Sequence, residues 1–398
     1  MTLAYTIDAT CGPARTGTVT TARGRFSTPC FMPVGTRGAV RTLSSADLED
    51  LGVEVVLGNT YHLMLRPGAD VVERFGGIHG FADWRGQVLT DSGGYQVFSL
   101  KPSVDDEGAT FRSTYDGSAH HLSPEGAVEV QVRLGSDIQM VLDVCPPLPS
   151  PPAVVRSAVD RTALWADRAR TAFLAHARSD LNQFGIVQGG TDLAMRAESA
   201  ERTVALGFEG YAVGGLSVGE DRSAMLPALV AVVDVLPADR PRYLMGLGDP
   251  LGIVDAVARG VDMFDCVLPT RLARHGTLLT SEGRVNLRNR RFADDPGPID
   301  PACACPVCAR WSRGYLRHLL AVAEPTAPRL LTLHNVAWTY GLVDRIRAAI
   351  VDGSLAALRA HLAERWDVGA AGAPGEGSPS GGGAATHGPD GETGGTEG

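Results

Sequence analysis

The chain has 398 residues, 44% apolar, 20% charged and 6% aromatic, a balance that supports a sizeable core and excludes disorder along its whole length. A net charge of −9 argues against wholesale coating of nucleic acid, yet nine arginines against four acids between Arg271 and His318 leave a local basic stripe. Lys101 is the only lysine among 36 basic residues, a bias that reads as codon composition rather than as phosphate recognition. No basic-then-apolar leader opens the chain, and its most apolar stretch, 224–236, is broken by Pro227 and Asp234, so a soluble, cytoplasmic protein with no membrane contact is expected.

Residues 1–30 alternate apolar and polar around turn signals such as Cys11-Gly12-Pro13, which predicts a few short antiparallel strands added to the fold. From Leu43 onward short apolar runs end in polar or glycine-rich turns and lead into helical segments. The runs are 53–57, 87–90, 138–142, 184–187, 210–213, 242–245 and 261–264. Helical periodicity marks 153–177 behind Pro151-Pro152, 192–206 behind a Thr-Asp cap, and 222–235 with Pro227 near its start. Seven or eight strand–helix units predict an α/β fold, a (β/α)8 TIM-like barrel with an N-terminal antiparallel β layer. A doubly wound open sheet is the alternative, and no Gly-x-Gly-x-x-Gly follows a strand to support it. The expected organisation is one catalytic barrel domain over 1–367 with a zinc-binding subdomain at about 285–340, then a glycine-rich tail, 368–398, that lacks periodicity and is expected to be disordered.

Polar or glycine residues stand directly after most runs: Asp91, Asp143, Gln188, Gly214-Gly215, Gly246 and Asp265. Any one of them is an ordinary turn former. Six together fit a barrel, whose strand ends converge on one face. Asp91 and Asp265 are candidates for a nucleophile and a proton-transfer partner, the two roles that glycosidic-bond chemistry requires. Asp91 opens Asp91-Ser92-Gly93-Gly94-Tyr95, where two glycines permit close backbone approach and Tyr95 offers a flat face to a ring. A carboxylate at Asp143 and an amide at Gln188 complement the edge of a guanine-like base.

Seven cysteines, an odd number, cluster as Cys303-x-Cys305-x2-Cys308, and His334 follows. Three thiolates and one imidazole make a closed tetrahedral set suited to one structural Zn2+ per subunit. Pro306 stiffens the ligand loop. With four protein ligands the ion would hold structure and not activate water.

The chain resembles bacterial tRNA-guanine transglycosylases, the queuine tRNA-ribosyltransferase family, from its first strands to about Trp366. The resemblance rests on Gly58-Asn-Thr-Tyr-His-Leu-Met-Leu-Arg-Pro-Gly68, Asp91-Ser-Gly-Gly-Tyr-Gln-Val-Phe98, Gly185-Ile-Val-Gln-Gly-Gly190, Tyr211-Ala-Val-Gly-Gly-Leu216, Tyr243-Leu-Met-Gly246, Met263-Phe-Asp-Cys-Val-Leu-Pro-Thr-Arg271 and the zinc set. It implies ping-pong exchange of the wobble guanine of tRNAs with a GUN anticodon (aspartate, asparagine, histidine and tyrosine tRNAs) for a 7-deazaguanine, usually the 7-aminomethyl form, in queuosine biosynthesis. By the same resemblance Asp265 attacks the ribose C1′, and Asp91 accepts the proton of the incoming base. Asp143 and Gln188 read the purine edge, with the Gly215 amide and Leu216 carbonyl beside it. Tyr95 and Met245 enclose the ring, and Ser92, Gly93 and Gly94 complete the substrate site. RNA contacts are implied for Gly246, Leu247, Gly248, Asp249, Pro250, Leu251 and Gly252, and for Thr270, Arg271, Leu272, Ala273 and Arg274. A homodimer is implied as well, with the zinc segment as its contact surface.

Three positions depart from the family pattern: Val144 where Glu is common, Ser217 where Ala is common and Leu272 where Asn is usual. Val144 and Ser217 bear on which 7-deazaguanine is preferred, and Glu220 offers an acid nearby. The alternatives are direct insertion of queuine, a non-catalytic zinc-bearing tRNA-binding subunit, which has no use for both Asp91 and Asp265, and a barrel glycoside hydrolase, which leaves the zinc set unexplained.

Overall fold

The computed structural model describes residues 3–366. The glycine-rich tail expected to be disordered lies outside the described residues. Three antiparallel strands come first, β1 (Ala4–Cys11), β2 (Ala14–Thr20) and β3 (Arg25–Thr28), in the order β1-β2-β3. This is the added layer that the alternation predicts.

β4 (Cys30–Gly35) starts after a single intervening residue and opens the barrel, which continues through β5 (Val55–Gly58) and β6 (Gln87–Thr90). An inserted antiparallel sheet comes next, made of β7 (Ser103–Val104), β8 (Ala109–Arg112) and β9 (Ala119–Leu122). The barrel resumes with β10 (Ile138–Met140), β11 (Asn182–Val187), β12 (Gly210–Val213), β13 (Arg242–Leu244) and β14 (Met263–Cys266). Parallel pairing of β14 with β4 and of β6 with β10 closes the ring. Seven of the eight strands coincide with predicted runs. The eighth, β4, escapes because it abuts the N-terminal alternation without a turn cluster and carries Pro33, which forfeits a ladder donor and lowers strand propensity. β7–β9 fall in a polar stretch without a long apolar run, and only their packing reveals them.

Every residue of β4, β5, β6, β11 and β12 is buried, the behaviour of a parallel sheet wrapped by helices. The predicted helices appear as Pro152–Ala175, Leu193–Val204 and Arg222–Val233. The last two are capped by Asp192 and Asp221, whose side chains accept the amide hydrogens of Met195 and Ala224. β15 (Thr277–Thr280) pairs with β16 (Gly283–Asn286) and leads into the cysteine loop. The 26-residue helix Thr326–Val351 ties that segment to the barrel: its first half, with Leu330, Leu331 and Val336, belongs to one apolar cluster, and its second, with Leu342, Val343 and Ile346, to the barrel core.

The floor of the barrel is pinned by a buried ion pair. Arg15 on β2 grips Asp262, just before β14, through Nε and Nη2 at 2.8 and 2.6 Å, and Tyr5 adds its hydroxyl at 2.9 Å. Breaking such a pair by truncating one partner costs roughly 3–5 kcal/mol. This acid therefore serves the fold. Among the described residues no helix is long and apolar enough to cross a membrane.

Candidate active site

A cavity of about 410 Å³ opens at the carboxyl ends of the strands, the face where barrel enzymes carry their chemistry. Thr36 follows β4, Asn59 follows β5, Asp91 follows β6, Asp143 lies beyond β10, Gly215 and Leu216 follow β12, Met245 follows β13, and Asp265 sits within β14; all line the cavity. Ser92, Tyr95 and Gly246 line it too, whereas Gly93, Gly94 and Gln188 stand behind the wall. Asp265 is reached earlier than the apolar run 261–264 predicts, because the strand begins two residues later and extends through Cys266.

The two candidate carboxylates have different surroundings. Asp91 is caged. Its Oδ1 accepts the Thr60 and Gly93 amide hydrogens at 2.8 and 3.1 Å, while its Oδ2 accepts the Asn59 side-chain amide and, at 3.2 Å, that of Gln96. Burial outweighs these donors and pushes its pKa up to about 6. At Asp265 both donors converge on Oδ1: the Tyr243 hydroxyl at 2.5 Å and the Gly246 amide at 2.8 Å. No donor among the described residues reaches its Oδ2. Burial raises this carboxyl as well, against the pull of those two hydrogen bonds.

Asp143, raised by burial to about 6, accepts Gln188 Nε2 at 2.6 Å and the Ser92 hydroxyl at 3.3 Å. One of the two Gln188 amide protons is thus spent inside the protein, and a base read by both side chains shares this edge with that bond. Gly214 and Gly215 are required here. A Cβ on Gly215 would lie 2.2 Å from Gln188 Oε1 and one on Gly214 2.7 Å from its Nε2, and Gly215 has φ +63°. Tyr95 is 65% exposed at the rim, leaving a ring face for stacking.

Sequence reasoning missed four groups. Asn59, directly after β5, obeys the same strand-end rule that singles out Asp91. Tyr243 is visible only as an inward-facing strand residue, and Gln96 only as part of a helix. Arg196 gives no sequence signal at all, because it sits in the first turn of the helix Leu193–Val204 and follows no strand. It is fully buried, has no carboxylate within ion-pair distance among the described residues, and donates to the carbonyls of Gly190, Val187, Gly214 and Gly215 at 2.7–3.0 Å. In a trans peptide the amide hydrogen points opposite to the carbonyl. Drawing the Gly214 and Gly215 carbonyls toward Arg196 therefore turns the amides of Gly215 and Leu216 toward the cavity.

Much of the segment expected to meet RNA is internal. Leu247, Gly248, Pro250, Leu251 and Gly252 are buried, the last three opening the helix Pro250–Val257, and Asp249 caps that helix through the Gly252 amide while pairing with Arg222. Thr270 and Ala273 are buried on the inner side of the helix Leu268–Arg274. Gly246, Arg271, Leu272 and Arg274 keep surface. The causes differ: the helix Pro250–Val257 is mainly apolar and buried on every face, whereas the helix Leu268–Arg274 buries one side and leaves Arg271, Leu272 and Arg274 on the other. Val144 turns away from the cavity into an apolar cluster with Leu142 and Trp165, whereas Ser217 lines it, with Val218 beside it. The Glu220 carboxylate accepts the amides of Ser217 and Val218 from behind that wall.

Away from the cavity, Cys303, Cys305, Cys308 and His334 bring three sulfurs and one nitrogen within 4.8 Å of one another. His334 Nε2 lies 2.8 Å from the Leu279 carbonyl, so it carries the proton and presents the Nδ1 lone pair to the sulfurs, 3.3 Å from Cys308 Sγ and 3.5 Å from Cys305 Sγ. The donor set fits a metal ion.

The family model described as queuine tRNA-ribosyltransferase matches residues 9–368. Proteins named queuine tRNA-ribosyltransferase are similar along almost the whole chain. That of Solidesulfovibrio magneticus is 49% identical over 360 residues, covering 90% of this chain and 96% of its own. That of Sphingopyxis alaskensis is 49% identical over 369 residues, covering 91% and 98%. That of Desulfosudis oleivorans is 51% identical over 349 residues, covering 87% and 91%. With these matches spanning the strands, the cavity and the cysteine cluster alike, the chain belongs to the queuine tRNA-ribosyltransferase family.

Proposed function

We propose that this enzyme, a tRNA-guanine transglycosylase by family, replaces the wobble guanine of GUN-anticodon tRNAs with 7-aminomethyl-7-deazaguanine by a ping-pong route. The observation that carries the reading is the pair of unlike carboxylates in one cavity, one with a bare oxygen and one caged. Asp265 Oδ2 attacks the ribose C1′ as the C1′–N9 bond breaks, forming an aspartyl ester while its Oδ1 stays with Tyr243 and Gly246. Guanine departs as its N9 takes a proton from Asp91. The incoming base then attacks C1′, the ester bond breaks, and its N9 proton passes to Asp91, whose pKa near 6 suits exchange in both directions. One N-glycosidic bond replaces another, so no energy source is required.

Recognition of the base falls to the Asp143–Gln188 edge and to the Gly215 and Leu216 amides that Arg196 orients, with Tyr95 and Met245 at the ring. Glu220 places negative charge behind Ser217 and Val218, which favours a cationic aminomethyl substituent. RNA contacts belong to Gly246, Arg271, Leu272 and Arg274. Incubation with GUN tRNA and labelled guanine tests the reading: base exchange is expected, and none at any pH would overturn it. Competition among the aminomethyl base, the cyano base and queuine should favour the first; preference for queuine would make this a salvage enzyme.

Arg196→Gln is expected to raise the KM for the base about tenfold, roughly 1.4 kcal/mol, with a smaller change in kcat, because ground-state and transition-state contacts to the same amides are lost together. Arg196→Lys should recover part of the loss. Steady-state kinetics on both variants decide the point.

The cysteine–histidine cluster would hold Zn2+, whose chemistry there is to cross-link the loop 303–308 to the helix Thr326–Val351. Metal analysis should find one zinc per chain. Cys308→Ser should lose it and lower the thermal midpoint by roughly 5–10 °C, several kcal/mol of site energy having been removed. Residues 1–367 act as one catalytic unit with this cluster as a subdomain, supported by the helix shared between the two apolar clusters. The same reading includes a cytoplasmic homodimer, supported by the exposed Tyr315, which shares a surface pocket with Cys308.

A further inference from the structure

A group of cations outside the residues so far assigned borders the same cavity. Two guanidiniums pack on one tyrosine ring: Arg66 Cζ lies 4.7 Å from the Tyr115 centroid and Arg37 Cζ 5.4 Å. Arg66 also donates to the Tyr115 carbonyl at 3.4 Å. Both arginines are exposed, and neither has a carboxylate within ion-pair distance among the described residues. The Tyr115 hydroxyl lies 2.9 Å from His62 Nδ1, and His62 lines the cavity, as does Thr36 next to Arg37.

Three chain segments that are remote in sequence build this platform. Arg37 lies in the loop after β4. Arg66 stands in the widened turn Met64–Gly68, where its backbone leaves helical geometry at φ −148° and ψ 118°. Tyr115 comes from the sheet inserted between β6 and β10, whose strands β8 and β9 flank it. The ring quadrupole offsets part of the charge of each guanidinium, yet two like charges on one residue without an acid leave a net demand for an anion. The platform is also continuous with the other arginines. The loop after β4 carries both Arg37 and Arg41, and burial, then the Arg41 charge and that of Arg271, holds Arg274 below its ordinary pKa.

We propose that Arg37, Tyr115 and Arg66 form a second RNA subsite, which binds a phosphodiester flanking the nucleotide whose base enters the cavity. This rests on the proposed transglycosylation of tRNA. A nucleotide splayed out of a loop has a phosphate on each side, and a rim of arginines running from Arg66 through Arg37 and Arg41 to Arg274 and Arg271 follows that backbone past the reacting ribose. Arginine suits the task, because its planar fork pairs two donors with one phosphate while its face stays on the tyrosine.

The test is the salt dependence of binding to a GUN anticodon stem-loop RNA, read by fluorescence anisotropy between 50 and 300 mM NaCl. For the double variant Arg37→Ala/Arg66→Ala, affinity at the middle of that range should fall about tenfold, and the slope of log Kd against log salt should shrink by about 0.7, the share of one single-strand phosphate. Arg37→Lys/Arg66→Lys should restore most of the slope, since a phosphate accepts either cation. A double alanine variant with the wild-type slope overturns the subsite, even if affinity falls, because lost packing does not alter counterion release. If the wild type exchanges guanine and that variant keeps the wild-type slope, only the subsite is lost; if the wild type neither binds nor exchanges, the functional reading fails with it.

Discussion

Asp265→Asn is expected to leave a folded protein that no longer captures tRNA covalently. Denaturing gels of wild type with tRNA should show a retained enzyme–RNA adduct, and the variant none; guanine exchange should fall roughly 10⁴-fold or more, as when other covalent nucleophiles are removed. The substitution is nearly isosteric, and the Tyr243 hydroxyl and Gly246 amide can still donate to the remaining carbonyl oxygen, so the loss reports chemistry rather than collapse. What disappears is Oδ2, the oxygen that no donor among the described residues engages. Asp91 cannot take its place, because four donors already hold both its oxygens. An adduct of undiminished yield in Asp265→Asn would transfer the nucleophile to another residue.

Asp91 should govern the pH dependence, with opposite signs in the two half-reactions. In its folded surroundings the carboxyl is pushed from 3.8 to about 6, so it is largely protonated at pH 5 and largely ionised at pH 7.5. The second half-reaction needs the ionised form to receive the N9 proton, so kcat/KM for the incoming base should rise through a midpoint near pH 6. The first half-reaction is its reverse in proton flow, so kcat/KM for tRNA should not share that rise and should decline as Asp91 loses its proton. Asp143 titrates in the same range and is itself raised by the charge of Asp91, so the acid limb for the base should approach a slope of two rather than one. Asp91→Asn should flatten the Asp91 component and slow exchange roughly 10²–10⁴-fold. Parallel pH profiles for base and tRNA in the wild type would remove Asp91 from proton transfer.

The strand-end rule explains how much of the site is legible before folding. Strands of a barrel deliver the residues that follow them to the common face whatever turn comes next, so Asp91 and Asp143 announce themselves by position alone, whereas Gln188, chosen by the same rule, stands behind the wall and meets the site through Asp143. The same rule, applied to the run ending at Leu57, stops one residue short, at Gly58, because the strand extends through that glycine and Asn59 follows it. Other groups obey no such rule. Gln96 and Arg196 reach the site from helices, where residue spacing says which face is inward but not what that face meets. Arg37, Arg66 and Tyr115 meet only because an inserted sheet folds back over two loops, a contact between segments up to 78 positions apart. The run 247–252 shows the reverse case, a motif continuous in sequence that folding draws almost wholly inward, because the helix that it opens, Pro250–Val257, is buried on every face.

Local chemistry along the chain determined the alternation of strand and helix, the caps at Asp192 and Asp221, the three cysteines held near one another by their spacing, and the two glycines without which the turn after β12 could not form. Those are short-range matters, settled by sterics and side-chain size within a few residues. Tertiary structure alone decided the surroundings of two aspartates three positions apart. Asp262 and Asp265 flank the start of one strand, yet closure of the ring buries the first against Arg15 on the floor and leaves one oxygen of the second, at the mouth, without a donor among the described residues. The physical reason is that hydrogen-bond partners, and with them reactivity, are supplied by strands distant in sequence that only the closed barrel brings within 3 Å.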